Sequence, residues 1–389
     1  MSKLINLRAF KEFFESSTGG GILLLICVCL ALTLANLPIG DSIISFFNTN
    51  IGFENESVQL KYSIKQWIDD GLMAIFFLLV GLEIKRELVE GELASPKKAA
   101  LPILAAIGGA LLPAAVYGIF NYDQPSHHGW GIPMATDIAF ALAVISMLGN
   151  KVPASLKVFL AALAIVDDLL AIIVIALFYS SELHYNYLMY AGGLFILQLI
   201  FNKAGVKNIL AYIIPGIFMW YFIHHSGIHA TIAGVLTAMT VPTNASNSES
   251  ALEKLEHLIA KPVNFIIIPL FAFVNTTIVF HNEMIAGLTS PLGLGIILGL
   301  LVGKTLGITF TCWICVKSGL ANLPENATWK HMFGVGILGG IGFTMSIFVA
   351  MLSFKDHPIY IEEAKLCILV ASCLAGVVGY LYLKSLHKK

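Results

Sequence analysis

Two adjacent aspartates, Asp167 and Asp168, stand in the middle of ALAIVDDLLAIIVIALF, residues 162–178, a run that otherwise has the composition of a bilayer-spanning helix. Each acid costs about 2.5–3.5 kcal/mol at the centre of such a helix, so the pair costs about 5–7 kcal/mol. The 14 Leu, Ile, Val and Phe residues between Val158 and Phe178 return about 4–8 kcal/mol, at roughly 0.3–0.6 each. The segment barely inserts, and acids that costly mark chemistry.

Two further charges interrupt apolar runs, Asp137 in IPMATDIAFALAV and Lys304 in LLVGKTLGITF. Neighbouring helix positions point about 100° apart, so Asp167 and Asp168 cannot turn to one partner and have separate jobs. Lys304 reads as the sole buried cation, and one of the aspartates pairs with it, since an isolated buried charge would neutralise itself. Three acids against one base leave negative charge over. Carboxylate oxygens with charge to spare suit a proton or a small hard cation such as sodium. A structural ion pair accounts for one acid and leaves the others unexplained. Because burial disfavours a charged carboxylate, proton and cation compete for the same oxygens. Exposing such a site to each side of a membrane in turn exchanges one for the other.

The backbone around these charges is set to break. Gly131, Pro133 and Thr136 precede Asp137, and Gly334, Gly336, Gly339, Gly340 and Gly342 precede Thr344 and Ser346. Half-helices carry about half a positive charge at their N-termini and half a negative one at their C-termini, which Asp137 and Lys304 are suited to compensate.

The whole chain supports a membrane setting. Of 389 residues 57% are hydrophobic and 12% charged, with a mean hydropathy of +0.83; a soluble domain carries about 25% charged residues. Twelve apolar stretches reach spanning length, near 20–38, 67–84, 99–120, 130–148, 154–179, 186–202, 206–223, 227–241, 262–280, 292–316, 332–354 and 362–383. With a cytoplasmic N-terminus, 18 of the 23 Lys and Arg residues fall on the inside, which predicts both termini in the cytoplasm. Interrupted helices fall in the fourth and eleventh stretches. Spans 3–5 and 10–12 then form units that start from opposite sides, the inverted repeat typical of secondary transporters.

The expected fold is therefore all-α and polytopic, one integral membrane domain over residues 1–389. Residues 1–18 are expected to lie along the inner interface. Residues 40–65 contain IGFENESVQLKYSI, two strand-like pieces expected to form a periplasmic hairpin that can pair with a second copy. Asn275 in LFAFVNTT suits an interhelical hydrogen bond. A net charge of -1 gives no basic surface for nucleic acid. All six cysteines lie in apolar runs, with no pattern for a disulfide framework or a resident metal, and no cofactor is implied.

The strings WIDDGLMAIFFLLVGLEIKREL, IPMATDIAFALAV, VFLAALAIVDDLLAIIVIALFY, SGIHATIAGV, LEHLIAKPVNFIIIPLFAFVN, GKTLGI and GGIGFTMSIF closely resemble the NhaA family of bacterial sodium/proton antiporters. The resemblance runs from about residue 19 to 383 and implies a transporter, not an enzyme, of the inner membrane. It implies an electrogenic, pH-regulated exchange of sodium or lithium for protons that serves sodium and pH homeostasis and salt tolerance. By position, Asp168 corresponds to the sodium ligand and Asp167 to a proton carrier paired with Lys304. Asp137 with Thr136 corresponds to the acid between two crossed broken helices, spans 4 and 11, whose breaks fall at Pro133, Gly340 and Gly342. Glu83, Arg86, Glu87, Glu256 and His257 fall where the family places pH activation, and His229 matches a histidine tied to pH response. The hairpin corresponds to a homodimer contact. The turn NTNIGFENES and the stretch HHSG depart from the family pattern. From the residues alone, a sodium-coupled symporter stays open, though no aromatic and polar pocket for an organic solute is legible beside the acids. An intramembrane aspartyl protease would need a motif such as GxGD, which is absent.

Overall fold

The computed structural model describes residues 17–55, 59–180, 183–243 and 249–387. Its main helices, in chain order, are α1 (Ser17–Ala35), α2 (Gly40–Phe47), α3 (Met73–Val89), α4 (Pro96–Phe120), α5 (Ile138–Ser146), α6 (Ala154–Phe178), α7 (Tyr185–Lys203), α8 (Leu210–His224), α9 (Ile232–Thr240), α10 (Ala251–Pro262), α11 (Ile268–Asn275), α12 (Asn282–Gly287), α13 (Pro291–Leu298), α14 (Lys304–Lys317), α15 (Trp329–Gly339), α16 (Phe343–Ser353) and α17 (Pro358–Leu386). Strands β1 (Asn50–Glu54) and β2 (Gln59–Ser63) pair antiparallel, with Gly52 opposite Lys61. The expected strand-like pieces are thus strands. Gly40–Phe47, at the start of the expected hairpin loop, is helical instead. Residues 1–16, where most of the interfacial segment was expected, lie outside the described residues.

Local chemistry explains where several helices start and stop. α10 opens at a capping box between Ser250 and Glu253, and α15 at one between Thr328 and His331. A 3-10 helix, Pro125–Met134, ends just after Pro133, and Ala135 and Asp137 are extended before α5 begins. The bend across that break is 43°, and the bend between α15 and α16, across Gly340 to Gly342, is 44°.

Among the described residues, five helices are long and apolar enough to cross a membrane: α4, α6, Ala251–Asn275, Pro291–Lys317 and α17. Counting three bent pairs as single spans raises this to eight. The other four expected stretches coincide with α3, α7, α8 and α9, which are shorter or more polar, so length and apolarity alone fall short of twelve.

The chain forms two compact units. Among the described residues, unit one contains 17–27, 95–171 and 280–387; unit two contains 28–55, 59–94, 172–180, 183–243 and 249–279. In unit one, a methyl on Gly108 would strike Thr311, and one on Gly307 would strike the Gly108 backbone. Glycine here is required by the close approach of the α4 and α14 backbones. In unit two, Leu78, Leu82, Tyr212, Val241, Leu252 and Leu255 bury one core between α3, α8, α9 and α10.

Candidate functional site

The four charges singled out in the sequence all lie in unit one, and Asp137, Asp167, Asp168 and Lys304 are at most 2% exposed. Asp137 sits where the extended piece after the 3-10 helix enters α5. Its carboxylate accepts the Phe140 N–H at 2.9 Å and caps α5. Its other oxygen accepts the Thr344 N–H at 3.1 Å and the Thr344 hydroxyl at 2.5 Å, in the first turn of α16. One carboxylate therefore serves two helix N-termini, where the dipoles favour negative charge.

The opposite ends of the half-helices are served from elsewhere. Lys304 donates to the Met134 carbonyl, the last residue of the 3-10 helix, and also to Asp167. Ser346 donates to the Ile132 carbonyl at 2.7 Å. The Thr136 hydroxyl lies 2.7 Å from Asp167 Oδ2 and 2.8 Å from the Gly339 carbonyl at the end of α15. Both are acceptors, so its single proton serves the two between them. The Phe343 N–H is taken by Ser372 at 3.1 Å, and the Asp137 N–H donates to the Ile341 carbonyl at 2.7 Å. Groups that the breaks would orphan are in this way satisfied.

Asp167 Oδ1, buried, has no hydrogen-bond partner among the described residues. A carboxylate oxygen left unsatisfied out of water is costly, and it is the kind of acceptor a proton or a cation fills. Asp168 follows on α6 at 1% exposure. Pro133 is buried in the last turn before the first break, against Gly299, where a side chain would meet the proline ring. At the second break a methyl on Gly340 would run into the Leu300 carbonyl, and one on Gly342 into Ser346.

The residues expected to act in pH response lie in unit two, where Glu83, Arg86, Glu87 and Glu256, with His257 at the edge, form one electrostatic group and His229 stands apart. Arg86 pairs with Glu256 at 2.6 Å and approaches Glu87 at 3.6 Å. Glu83 is half-buried one turn earlier on α3, and Lys85 donates to the carbonyls of Met239 and Val241 at the end of α9. His257 instead pairs with Glu249 at 3.1 Å on the exposed surface. His229 approaches Asp70 at 3.7 Å, near the start of the helical run that carries Arg86, about 24 Å away along that run.

Two buried charges, Lys365 and Asp69, escaped the sequence reading, and the burial of a third, Glu256, was not expected. Lys304 is not the sole buried cation, since Lys365 in α17 is 6% exposed. Glu256 is also 6% exposed, and Asp69 is 8% exposed, accepting a 2.6 Å hydrogen bond from Asn275. The one signal for Asp69 was the Asp-Asp pair in WIDDGL, which repeats the pair in IVDDLL at a span margin. Among the described residues, no group of three or more His, Cys, Asp or Glu is placed to hold a resident metal.

Apolar helices of bilayer length, with two bent pairs whose ends meet at buried charges, define a broken-helix membrane protein. The family model described as Na+/H+ antiporter 1 matches residues 11–383, and the chain belongs to that family. It is 61% identical over 389 residues to the Na(+)/H(+) antiporter NhaA 2 of Flavobacterium johnsoniae, covering 100% of this chain and 95% of that protein. The Na(+)/H(+) antiporter NhaA of Cytophaga hutchinsonii is 46% identical over 380 residues, with 98% and 96% covered. That of Pelagibacter ubique is 46% identical over 384 residues, with 98% of each chain covered. The family is one of transporters, not enzymes.

Proposed function

We propose that this chain exports sodium, with lithium as an alternative cargo, in exchange for protons across the bacterial cytoplasmic membrane. In this reading it has twelve spans as a single membrane domain over residues 1–389, inverted repeats at spans 3–5 and 10–12, crossed broken helices at spans 4 and 11, and both termini in the cytoplasm. Two copies pair through the periplasmic hairpin, and the exchange supports sodium and pH homeostasis.

The observation that carries the reading is the buried set of Asp167, Lys304 and Thr136 beside Asp168, built where two helices break. Sodium is the cargo, and Asp168 with Asp167 would supply its carboxylate ligands. The same oxygens hold protons when sodium is absent, so loading one ligand expels the other. Lys304 and Thr136 hold Asp167 in place and neutralise it while it is charged. Asp137 and Lys304 balance the half-helix ends, which keeps the breaks affordable in a dry interior. Two protons leave for each sodium bound, which makes the exchange electrogenic. The Arg86, Glu87 and Glu256 group, with Glu83, His257 and His229, adjusts the exchange to pH.

Proton release from everted membrane vesicles on adding sodium tests this. Wild type is expected to respond and Asp168→Asn to fall to background, a loss of at least about a hundredfold. A mutant that exchanges at the full rate makes the acids structural and ends the reading.

A further inference from the structure

The antiport reading makes no use of a ring cluster in unit two, where β2 meets the end of α8. Tyr62 of β2 packs edge-on against His224 at 4.9 Å and against Trp67 at 5.8 Å between ring centroids. Trp67 stacks on Trp220 and Trp220 on His224, while the Trp67 indole donates to the Ile51 carbonyl of β1 at 3.3 Å. These contacts join the hairpin to the helix through ring faces. The polar contacts among them are what pH can change.

His225 Nδ1 lies 2.9 Å from the Tyr221 carbonyl, which can only accept, so Nδ1 carries a proton. In the neutral ring Nε2 is then an acceptor, and the Tyr62 hydroxyl lies 3.4 Å from it. The same hydroxyl also reaches the Gln59 carbonyl at 3.0 Å. A hydroxyl has one proton, so with neutral His225 one of these two acceptors goes without. Protonating Nε2 removes the conflict. The imidazolium donates to the Tyr62 oxygen, and Tyr62 donates to Gln59, giving an unbroken chain with a charge-assisted bond between helix and strand.

Asp70 lies beneath the rings, 3.9 Å from His224 Nδ1 and 3.7 Å from His229 Nδ1. Burial, then Tyr221, Asp70 and Glu54, push the Tyr62 phenol up, so it keeps its proton as donor. The groups facing His225 are Tyr221 and His224 beside it in the chain, Tyr62 from the hairpin and Tyr187 from α7, while Asp70 and Glu54 act on Tyr62 and His229 meets Asp70.

We propose that His225 is a proton-binding site whose protonation fastens the β1–β2 hairpin to helix α8, so that acid tightens this attachment and alkali loosens it. Histidine is the side chain that changes charge between about pH 5 and 8. The fastening stands apart from the acids assigned to exchange and does not depend on transport taking place.

Hydrogen–deuterium exchange of the full-length protein in nanodiscs tests it without measuring transport. Amides of residues 50–54 and 59–63 are followed at about pH 5.5 and about pH 8.5, either side of the histidine range, after correction for intrinsic exchange. Wild type is expected to show about tenfold greater protection at the acid end, the size of one charge-assisted hydrogen bond. Tyr62→Phe keeps the ring packing and loses the hydroxyl, so its protection should no longer depend on pH. His225→Gln should behave alike, whereas His257→Gln, far from the cluster in contacts, should keep the wild-type slope. A flat wild-type profile overturns the proposal, as does a slope that survives in Tyr62→Phe. A slope that scales with protein concentration assigns the protection to pairing between copies and overturns it too.

Discussion

Asp137 does two jobs with one carboxylate, capping α5 through Phe140 and α16 through Thr344. Substituting it separates acceptor from charge. Asparagine keeps one acceptor oxygen and turns an NH2 toward the donors of the other helix end, so Asp137→Asn should hold only one of the two caps and cost about 1–2 kcal/mol. Alanine leaves two helix ends uncapped in a buried place and should cost about 2–4 kcal/mol. A melt of both variants in detergent, with exchange measured on each, separates the two roles. If Asn exchanges like wild type, neither the charge nor the second cap is needed for exchange. The site charges were legible in the sequence because a carboxylate inside VDDLL or ATDIAF has a large transfer cost that demands a reason. Asp69 was not, because at the margin of a span a carboxylate is ordinarily solvated. It is buried through Asn275, 206 positions away, and no local pattern reports such a partner. Lys365 escaped for the same reason, standing near the start of α17 where a lysine usually reaches water.

The breaks are the decisive elements, and glycine serves them by closeness rather than by unusual dihedrals. Gly340 and Gly342 both have negative φ, -71° and -88°, so what excludes a side chain is the Leu300 carbonyl on one and Ser346 on the other. Backbone cannot step aside as a flexible side chain does. Gly340→Ala should therefore cost about 1–3 kcal/mol. Gly118 in α4 has nothing within 4 Å of where its methyl would stand, and Gly118→Ala should gain up to about 1 kcal/mol of helix propensity. The two melts should move in opposite directions, and a Gly340→Ala protein as stable as wild type would mean that the second break is not held by close packing. Pro133 and the glycine cluster announced both breaks, since each has a local mechanism. α2 was not announced: Pro38 and Gly40 suggest a turn, and the bend of 115° that lets Gly40–Phe47 fold back depends on packing that the sequence does not display.

Charge balance decides how the molecule as a whole works against a membrane potential. If Asp167 and Asp168 each release a proton when one sodium binds, a cycle that exports sodium carries one net positive charge inward. One elementary charge across about 100 mV is worth about 2.3 kcal/mol, which sets the limiting sodium gradient about fiftyfold deeper than the pH gradient alone would. With two protons per sodium, each unit of pH difference should also hold a sodium gradient of about a hundredfold, against about tenfold for one proton. Both slopes can be read from proteoliposomes brought to zero net flux, with the potential set by potassium and valinomycin and the pH difference varied independently. A resting gradient that ignores the potential means equal charges exchange. One of the two aspartates then keeps its proton or its charge throughout the cycle. Lys304 bears on the same balance, because its ammonium pairs with Asp167. If Lys304→Gln retained the two-proton slope, Asp167 would carry its proton unaided, while a fall to one would make the ion pair part of the count.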